Sequence, residues 1–248
     1  MKWLCLVILV GCVSRPLILP SGLKFDEFLA DQKLRGDRFK TITSKVDFSF
    51  EGSEKIAGSG KLYMDLQSLQ KKFFLEIKDF LGRVHFQLVG DGKQCVAIYP
   101  QEKKAIRDSS GGTHYLARLG FQVPFSDLQT LLVGIVPTSW KLDGPSWLWD
   151  EIGYRIRAKT ELGKYGIQIW VDGQGRGIQR VVQEGKFDLT VKDFGRTENS
   201  LIDFGHELKL EVEGRNLQLN WDDTPQPTSL DSKIFSLLIP AGFSTVDI

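Results

Sequence analysis

Apolar and polar residues alternate with period two over residues 45 to 107. Val46, Phe48 and Phe50 interleave with Asp47, Ser49 and Glu51; Leu62 and Met64 follow, then Phe73, Leu75 and Ile77, then Val84, Phe86 and Leu88. Such alternation gives each strand one apolar face. A four-residue hairpin loop at Phe80–Arg83 sets Ile77 against Phe86 and Leu75 against Leu88. A two-residue Asp91-Gly92 turn then sets Leu88 against Cys95 and Phe86 against Ala97. One apolar face runs through three strands, and a slip of one residue would break it.

Helical spacing appears twice. Residues 22–37 place Phe25, Phe28 and Leu29 on one side with charges opposite, and Gly36 marks the end. Residues 112–137 interrupt the strands. There Thr113–Leu119 reads as a short helix and Ser126-Asp127-Leu128-Gln129 fits a capping box. Leu128, Leu131 and Leu132 share a face, Gly134 is a natural stop and Pro137 lies beyond. Strands resume at Trp147–Asp150, continue through Tyr154–Thr160, Tyr165–Val171, Ile178–Gln183 and Phe187–Val191, and end in a last hairpin. A Gly214-Arg215 turn would pair Val212 with Leu217, Leu210 with Leu219 and Leu208 with Trp221. Residues 222–230 read as a linker and 231–248 as a short apolar tail. The fold class is mainly β (α+β): a single meandering antiparallel sheet of about eleven strands, with an N-terminal helix and a helical insertion. A sheet with one continuous apolar face must curl around side chains, helices or a ligand.

Composition narrows the function. Hydrophobic residues make up 42%, charged residues 25% and aromatic residues 11%, a globular balance, and the formal net charge is +1. Without a basic block the chain is a poor partner for nucleic acid. No apolar run approaches the ~20 residues of a membrane-spanning helix.

The first twelve residues read as an export signal. Lys2 precedes an apolar run, and Leu9-Val10-Gly11-Cys12 resembles the bacterial lipobox, in which Cys receives a diacylglyceryl group before cleavage. The competing reading is a buried N-terminal strand that contains Cys. Residues 1–11 are thus expected to be a lipoprotein signal peptide, Cys12 the lipidated N-terminus and 12–21 a tether. The domain itself is expected over 22–248. No Asp follows Cys12, which implies passage to the outer membrane where that sorting rule holds. Cys5 leaves with the leader and Cys12 carries lipid, so Cys95 remains alone, with no disulfide framework. It shares the apolar face with Phe86 and Ala97 and is expected to be a buried, inert thiol.

Constellations for chemistry are missing. His85, His114 and His206 lack metal-ligand spacing, and the glycine-serine clusters lack the nucleophile-elbow frame. Neither an enzyme nor a metal or cofactor site is expected.

One feature is out of place in a bland fold. Hairpin tips are usually polar, yet Phe80 and Leu81 stand at the tip of Asp79–Arg83. Exposing them forfeits roughly 1.5–3 kcal/mol each. Either the loop folds back onto the sheet or the tip enters a membrane or a partner's groove.

The segment Phe73–Gly82 resembles the strand-loop-strand of the outer-membrane lipoprotein-insertion receptor family LolB, which carries a Pro-Leu-Gly loop whose exposed apolar residue enters the membrane. The stretch Phe125–Pro137 is similar to that family's Leu-x-x-Leu/Ile-Leu-x-Gly-x-Pro helix, and the order of elements is the same. Phe80 stands where the receptor usually has Pro, Glu51–Gly60 makes a longer turn, and the ending Phe235–Ile248 is more like the related carrier LolA. The resemblance implies an unclosed barrel whose concave apolar side holds acyl chains under helices.

It also implies a function: an outer-membrane-anchored acceptor, a monomer, that takes acylated lipoproteins from a periplasmic LolA-like carrier and inserts them among outer-membrane lipids. Acyl binding is then expected at Phe48, Phe50, Leu62, Met64, Phe73, Leu75, Ile77, Phe86 and Leu88, and membrane insertion at Phe80 and Leu81. The alternative is a lipoprotein of the same fold that binds another lipid or glycolipid, or serves as a structural envelope partner.

Overall fold

The computed structural model describes residues 22–52, 55–67, 71–160, 166–173, 177–183, 186–195, 204–212, 214–222, 225–236 and 238–248. The leader, Cys12 and the tether to residue 21 lie outside the described residues.

Helix α1 (Phe25–Arg38) leads into β1 (Thr41–Glu51), β2 (Lys55–Asp65), β3 (Lys72–Lys78), β4 (Val84–Gly90), β5 (Cys95–Tyr99) and β6 (Lys104–Asp108). Helices α2 (Thr113–Leu119) and α3 (Phe125–Leu131) follow. The second run holds β7 (Trp140–Trp149), β8 (Tyr154–Thr160), β9 (Gly166–Val171), β10 (Ile178–Gln183), β11 (Phe187–Gly195), β12 (Phe204–Val212) and β13 (Arg215–Trp221). Two short strands, β14 (Gln226–Pro227) and β15 (Ser244–Asp247), complete the chain. The described residues thus form fifteen strands in one sheet, against about eleven expected.

Strand order explains the position of the helices. The first meander runs from β1 out to β6, the second begins at the opposite edge with β7 and works back to β13, and β13 pairs with β1 in the middle. The segment carrying α2 and α3 must therefore pass from one edge of a curled sheet to the other. Crossing the concave side is the short route, and it buries Tyr115, Leu116, Leu119, Leu128 and Leu131. The edges β7 and β15 do not pair with each other, so the sheet is unclosed.

Several expectations need correction. The sheet is not wholly antiparallel, because β15 runs parallel to β6. The tail is structural: Ile239 and Phe243 pack on Val96, Ile98 and Ala105, covering the convex face of β5 and β6. Strand pairing resumes at Trp140, with an irregularity between Asp143 and Leu148. Most of the turn expected over Glu51–Gly60 is strand, since Glu51 already pairs with Lys55 and Val46 with Gly60. Pro124, not Ser126, precedes α3, and the Phe125 amide donates to Thr113 Oγ1 at 3.4 Å instead of to a cap of its own helix. Leu29 is exposed, while Phe28 is buried.

Register follows the same lesson. The pairs Ile77–Phe86 and Leu75–Leu88 stand as expected. In the next hairpin Leu88 faces Ala97 and Gly90 faces Cys95, because Asp91 accepts hydrogen bonds from the Lys93 and Gln94 amides and widens the turn to four residues. In the last hairpin Val212 faces Arg215, Leu210 faces Leu217 and Leu208 faces Leu219. Both shifts are even, so every inward residue stays inward.

The two halves of the concave face are filled differently. Helix α1 packs on the second meander, where Phe28 lies 5.5 Å from Trp147 and Trp147 stacks on Tyr154 at 5.0 Å. Gln32 joins α1 to the segment after α3 by donating to the Gly134 carbonyl and accepting from the Val136 amide. Over the first meander, α2 and α3 leave space.

Candidate functional site

That space is a cavity of about 60 Å³ between β1–β4, β13 and the helices α2 and α3. Eight of the nine inward residues expected from alternation line it: Phe48, Phe50, Leu62, Met64, Phe73, Leu75, Phe86 and Leu88. Ile77 is buried but stands outside the lining. The helices supply Tyr115, Leu116, Leu119, Phe125, Leu128, Gln129 and Leu132, and β13 adds Leu217 and Leu219. The helix residues the strand pattern could not assign, because nothing local states which strand face an inserted helix will cover. Among the described residues, no charged one lines the cavity.

Helix α3 turns one face inward. Phe125, Leu128, Gln129 and Leu132 lie at i, i+3, i+4 and i+7 and all reach the lining. Phe125 sits 4.1 Å from Phe73 across the space. Gln129, read from the sequence as the last member of a capping box, is instead 1% exposed, and its Nε2 has no hydrogen-bond partner among the described residues. A dry amide donor costs about 1–3 kcal/mol. The available signal was a Gln on the apolar stripe of an amphipathic turn.

Polar contacts hold the helices over the cavity. Asp108 accepts from the Tyr115 amide at 2.7 Å and from the Ser110 amide at 2.7 Å, fixing the start of α2. The Tyr115 hydroxyl meets that of Tyr99 at 2.6 Å. On α3, Asp127 accepts from Trp140 Nε1 at 2.9 Å and Ser139 Oγ at 3.0 Å. Lys71 donates to the Ser126 carbonyl at 3.1 Å; burial lowers its ammonium pKa while Asp127 pulls the other way. These contacts run from α2 and α3 to β5, β6 and the start of β7, so the lid is pinned at several points.

The β3–β4 hairpin extends from the cavity wall to solvent. Phe80 is 93% exposed and Leu81 60% exposed, so the loop does not fold back onto the sheet. Asp79 sets its shape by accepting from the Leu81 amide at 2.9 Å, the Arg83 amide at 3.0 Å and Arg83 Nε at 2.8 Å. Desolvation opposes ionisation of Asp79, but these bonds outweigh it and hold the carboxyl below the usual range. Gly82, at φ +75°, supplies the left-handed step that lets the tip turn. The backbone is held while the two apolar side chains stand exposed among the described residues.

Cys95 is fully buried, and burial first, then Asp108 and Asp91, push its thiol far above the ordinary value. Among the described residues no group of His, Cys, Asp or Glu could hold a metal ion, and no helix is long and apolar enough to cross a membrane.

Neither a protein-family model nor a curated protein matches the sequence. Solved structures share the fold. A candidate outer-membrane lipoprotein-sorting domain from Vibrio parahaemolyticus aligns with a TM-score of 0.58 at 13% identity, over 84% of this chain and 94% of that one. A DUF1329 family protein from Desulfovibrio piger aligns at 0.57 and 13% identity, over 85% and 95%. A LolA superfamily protein from Nitrosomonas europaea aligns at 0.52 and 13% identity, over 87% and 98%. The chain has the unclosed, helix-filled sheet of these LolA-like folds.

Proposed function

We propose that the chain is a lipid-anchored acceptor of the outer membrane, which takes the acyl chains of lipoproteins from a periplasmic LolA-like carrier and releases them into the bilayer. The supporting observation is one hairpin with two apolar ends. Its base lines the cavity with Phe73, Leu75, Phe86 and Leu88, and its tip carries exposed Phe80 and Leu81. Phe80 lies five positions after Leu75, so the two ends are at most about 17 Å apart along the chain.

The reading requires no covalent step. Each buried CH₂ favours an apolar site by about 0.8 kcal/mol, so acyl chains leave water readily and re-enter it slowly. A tip inserted into the leaflet brings the hairpin to the membrane, and a chain can then move without crossing water. The tip is too small to anchor the protein by itself; lipid on Cys12 supplies the residence and the tip the orientation.

A cavity of about 60 Å³ is well below the ~300–1,000 Å³ of ligand-filled pockets. Cargo therefore enters as α2 and α3 lift from β1–β4. The lid bonds through Tyr115 and Asp127 then set the balance between closed and loaded states.

Depletion of the protein in its host, followed by fractionation of other lipoproteins, tests the function. They are expected to accumulate short of the outer membrane. Unchanged arrival there would contradict the proposal and favour a role with another lipid.

A further inference from the structure

The β1–β2, β3–β4 and β5–β6 connections lie at one end of the sheet, so the Asp79–Arg83 tip shares a rim with its neighbours. A second space opens at that rim, a pocket of about 260 Å³ between the start of β2, the start of β4 and the β5–β6 turn. Ile56 and Tyr99 are its buried members, and Ile56 also lines the helix-covered cavity, so the two spaces share a wall. Here the lining changes character. Lys55, His85, Gln101 and Lys104 bring hydrogen-bond donors, against one carboxylate, Glu102. His85 owes its place to a bulge: Ile77 pairs with Phe86 and Lys78 with Val84, which leaves His85 as the extra residue. Strict alternation would send it to the convex face, and the bulge re-aims it. Lys104 Nζ lies 5.6 Å from the Tyr99 ring and has no carboxylate partner among the described residues. Lys55 reaches Glu51 only at 3.8 Å, with both side chains mostly exposed.

Charge and place together select the ligand. His85 lies four positions after Leu81, at most about 13 Å along the chain. The headgroup region of a bilayer is roughly 5–8 Å deep on each side. A tip seated among acyl chains therefore holds the rim pocket near the level of the lipid phosphates. We infer that this pocket binds the phosphate of a glycerophospholipid, with Lys55, His85 and Lys104 donating to its oxygens. Phosphate oxygens accept from several donors at once, and the two ammonium groups give their bonds charge assistance. The inference rests on the reading that the tip meets the leaflet, and adds to it the headgroup chemistry that the rim selects.

The test titrates the full chain with three soluble probes: dihexanoyl-phosphatidylglycerol, dihexanoylglycerol and inorganic phosphate. Calorimetry gives Kd for each, and a fluorescent acyl probe present in a parallel titration reports entry of the tails into the cavity. The wild type is expected to bind the phosphatidylglycerol about tenfold tighter than dihexanoylglycerol, which keeps the tails and lacks the phosphate. The double variant Lys55→Gln/Lys104→Gln, at exposed and half-buried positions, should bring the two lipids to about equal affinity. Glu102→Gln, which removes the opposing carboxylate, should widen the gap. Inorganic phosphate that competes with the phosphatidylglycerol assigns the pocket to phosphate groups in general; phosphate without effect assigns it to the lipid headgroup. Either supports the inference. Equal binding of the two lipids by the wild type overturns it, as does a preference that survives the double variant. A phosphate preference without displacement of the acyl probe keeps the rim site and counts against the acyl reading, and binding of neither lipid overturns both.

Discussion

The hydroxyls of Tyr99 and Tyr115 lie 2.6 Å apart, joining the end of β5 to α2 at the wall of the cavity. Tyr99 also packs edge-on against Phe86, at 5.4 Å, so this bond and the apolar lining form one surface. Tyr115→Phe removes the bond and keeps the ring. Stability should fall by about 1–2 kcal/mol, read as a lower urea midpoint with unchanged m, while stopped-flow uptake of a fluorescent acyl probe speeds up. Lower stability with unchanged uptake would mean that the lid does not open at α2.

Leu81→Glu isolates the tip from the fold. Leu81 is 60% exposed and its amide, not its side chain, is bonded to Asp79, so unfolding free energy should change by no more than about 0.5 kcal/mol. Probe binding should also stay near wild type. Transfer of a bound acyl probe from the protein to liposomes should slow at least tenfold, because the apolar contribution of one Leu is lost and a charge is presented to the leaflet. Transfer at the wild-type rate would reduce the tip to an exposed loop.

Acid should loosen the same tip. Asp79 is held below the ordinary carboxylate range, so its contribution to tip order is complete above the unfolded value of about 3.9 and fades as pH falls through the lower, folded one. Hydrogen exchange of the Leu81 and Arg83 amides should show protection, corrected for intrinsic rate, that is flat from pH 8 to pH 5 and declines below about pH 4. Asp79→Ala should remove that protection at every pH. Protection that falls between pH 7 and pH 5 would point to another group.

Much of the site was legible because period two carries parity. Both misjudged hairpins are displaced by two residues, so Cys95, Leu217 and Leu219 still face the concave side although their partners differ. Turn geometry fixes the partner, and the Asp91 side chain, which widens one turn, leaves no periodic trace. The lid residues were recognisable as helix but not as cavity wall, since that depends on α2 and α3 crossing the sheet between β6 and β7. Gln129 was misread for a simpler reason: an S-x-x-Q spacing predicts a cap only where the Ser begins the helix, and here Pro124 does. The place of the apolar tail was not legible, because no local pattern states that Ile239 and Phe243 cover Val96, Ile98 and Ala105 on the convex face.

Cys95 reports on that parity directly. Full burial and a thiol raised far above its ordinary value leave almost no thiolate at pH 8. A polar maleimide should leave the native protein unlabelled for hours and modify the urea-unfolded chain at once. Rapid native labelling would place Cys95 on the solvent face and reverse every inward assignment on β3 to β5.

The most direct test of the acyl site is photo-crosslinking with a diacylglyceryl lipopeptide carrying a diazirine near the end of each chain, followed by peptide mapping. Adducts are expected on cavity residues of both the sheet and the lid, among them Phe73, Leu88, Phe125 and Leu128. Adducts confined to Phe80 and Leu81, or spread over the convex face, would show that acyl chains bind elsewhere and contradict the account.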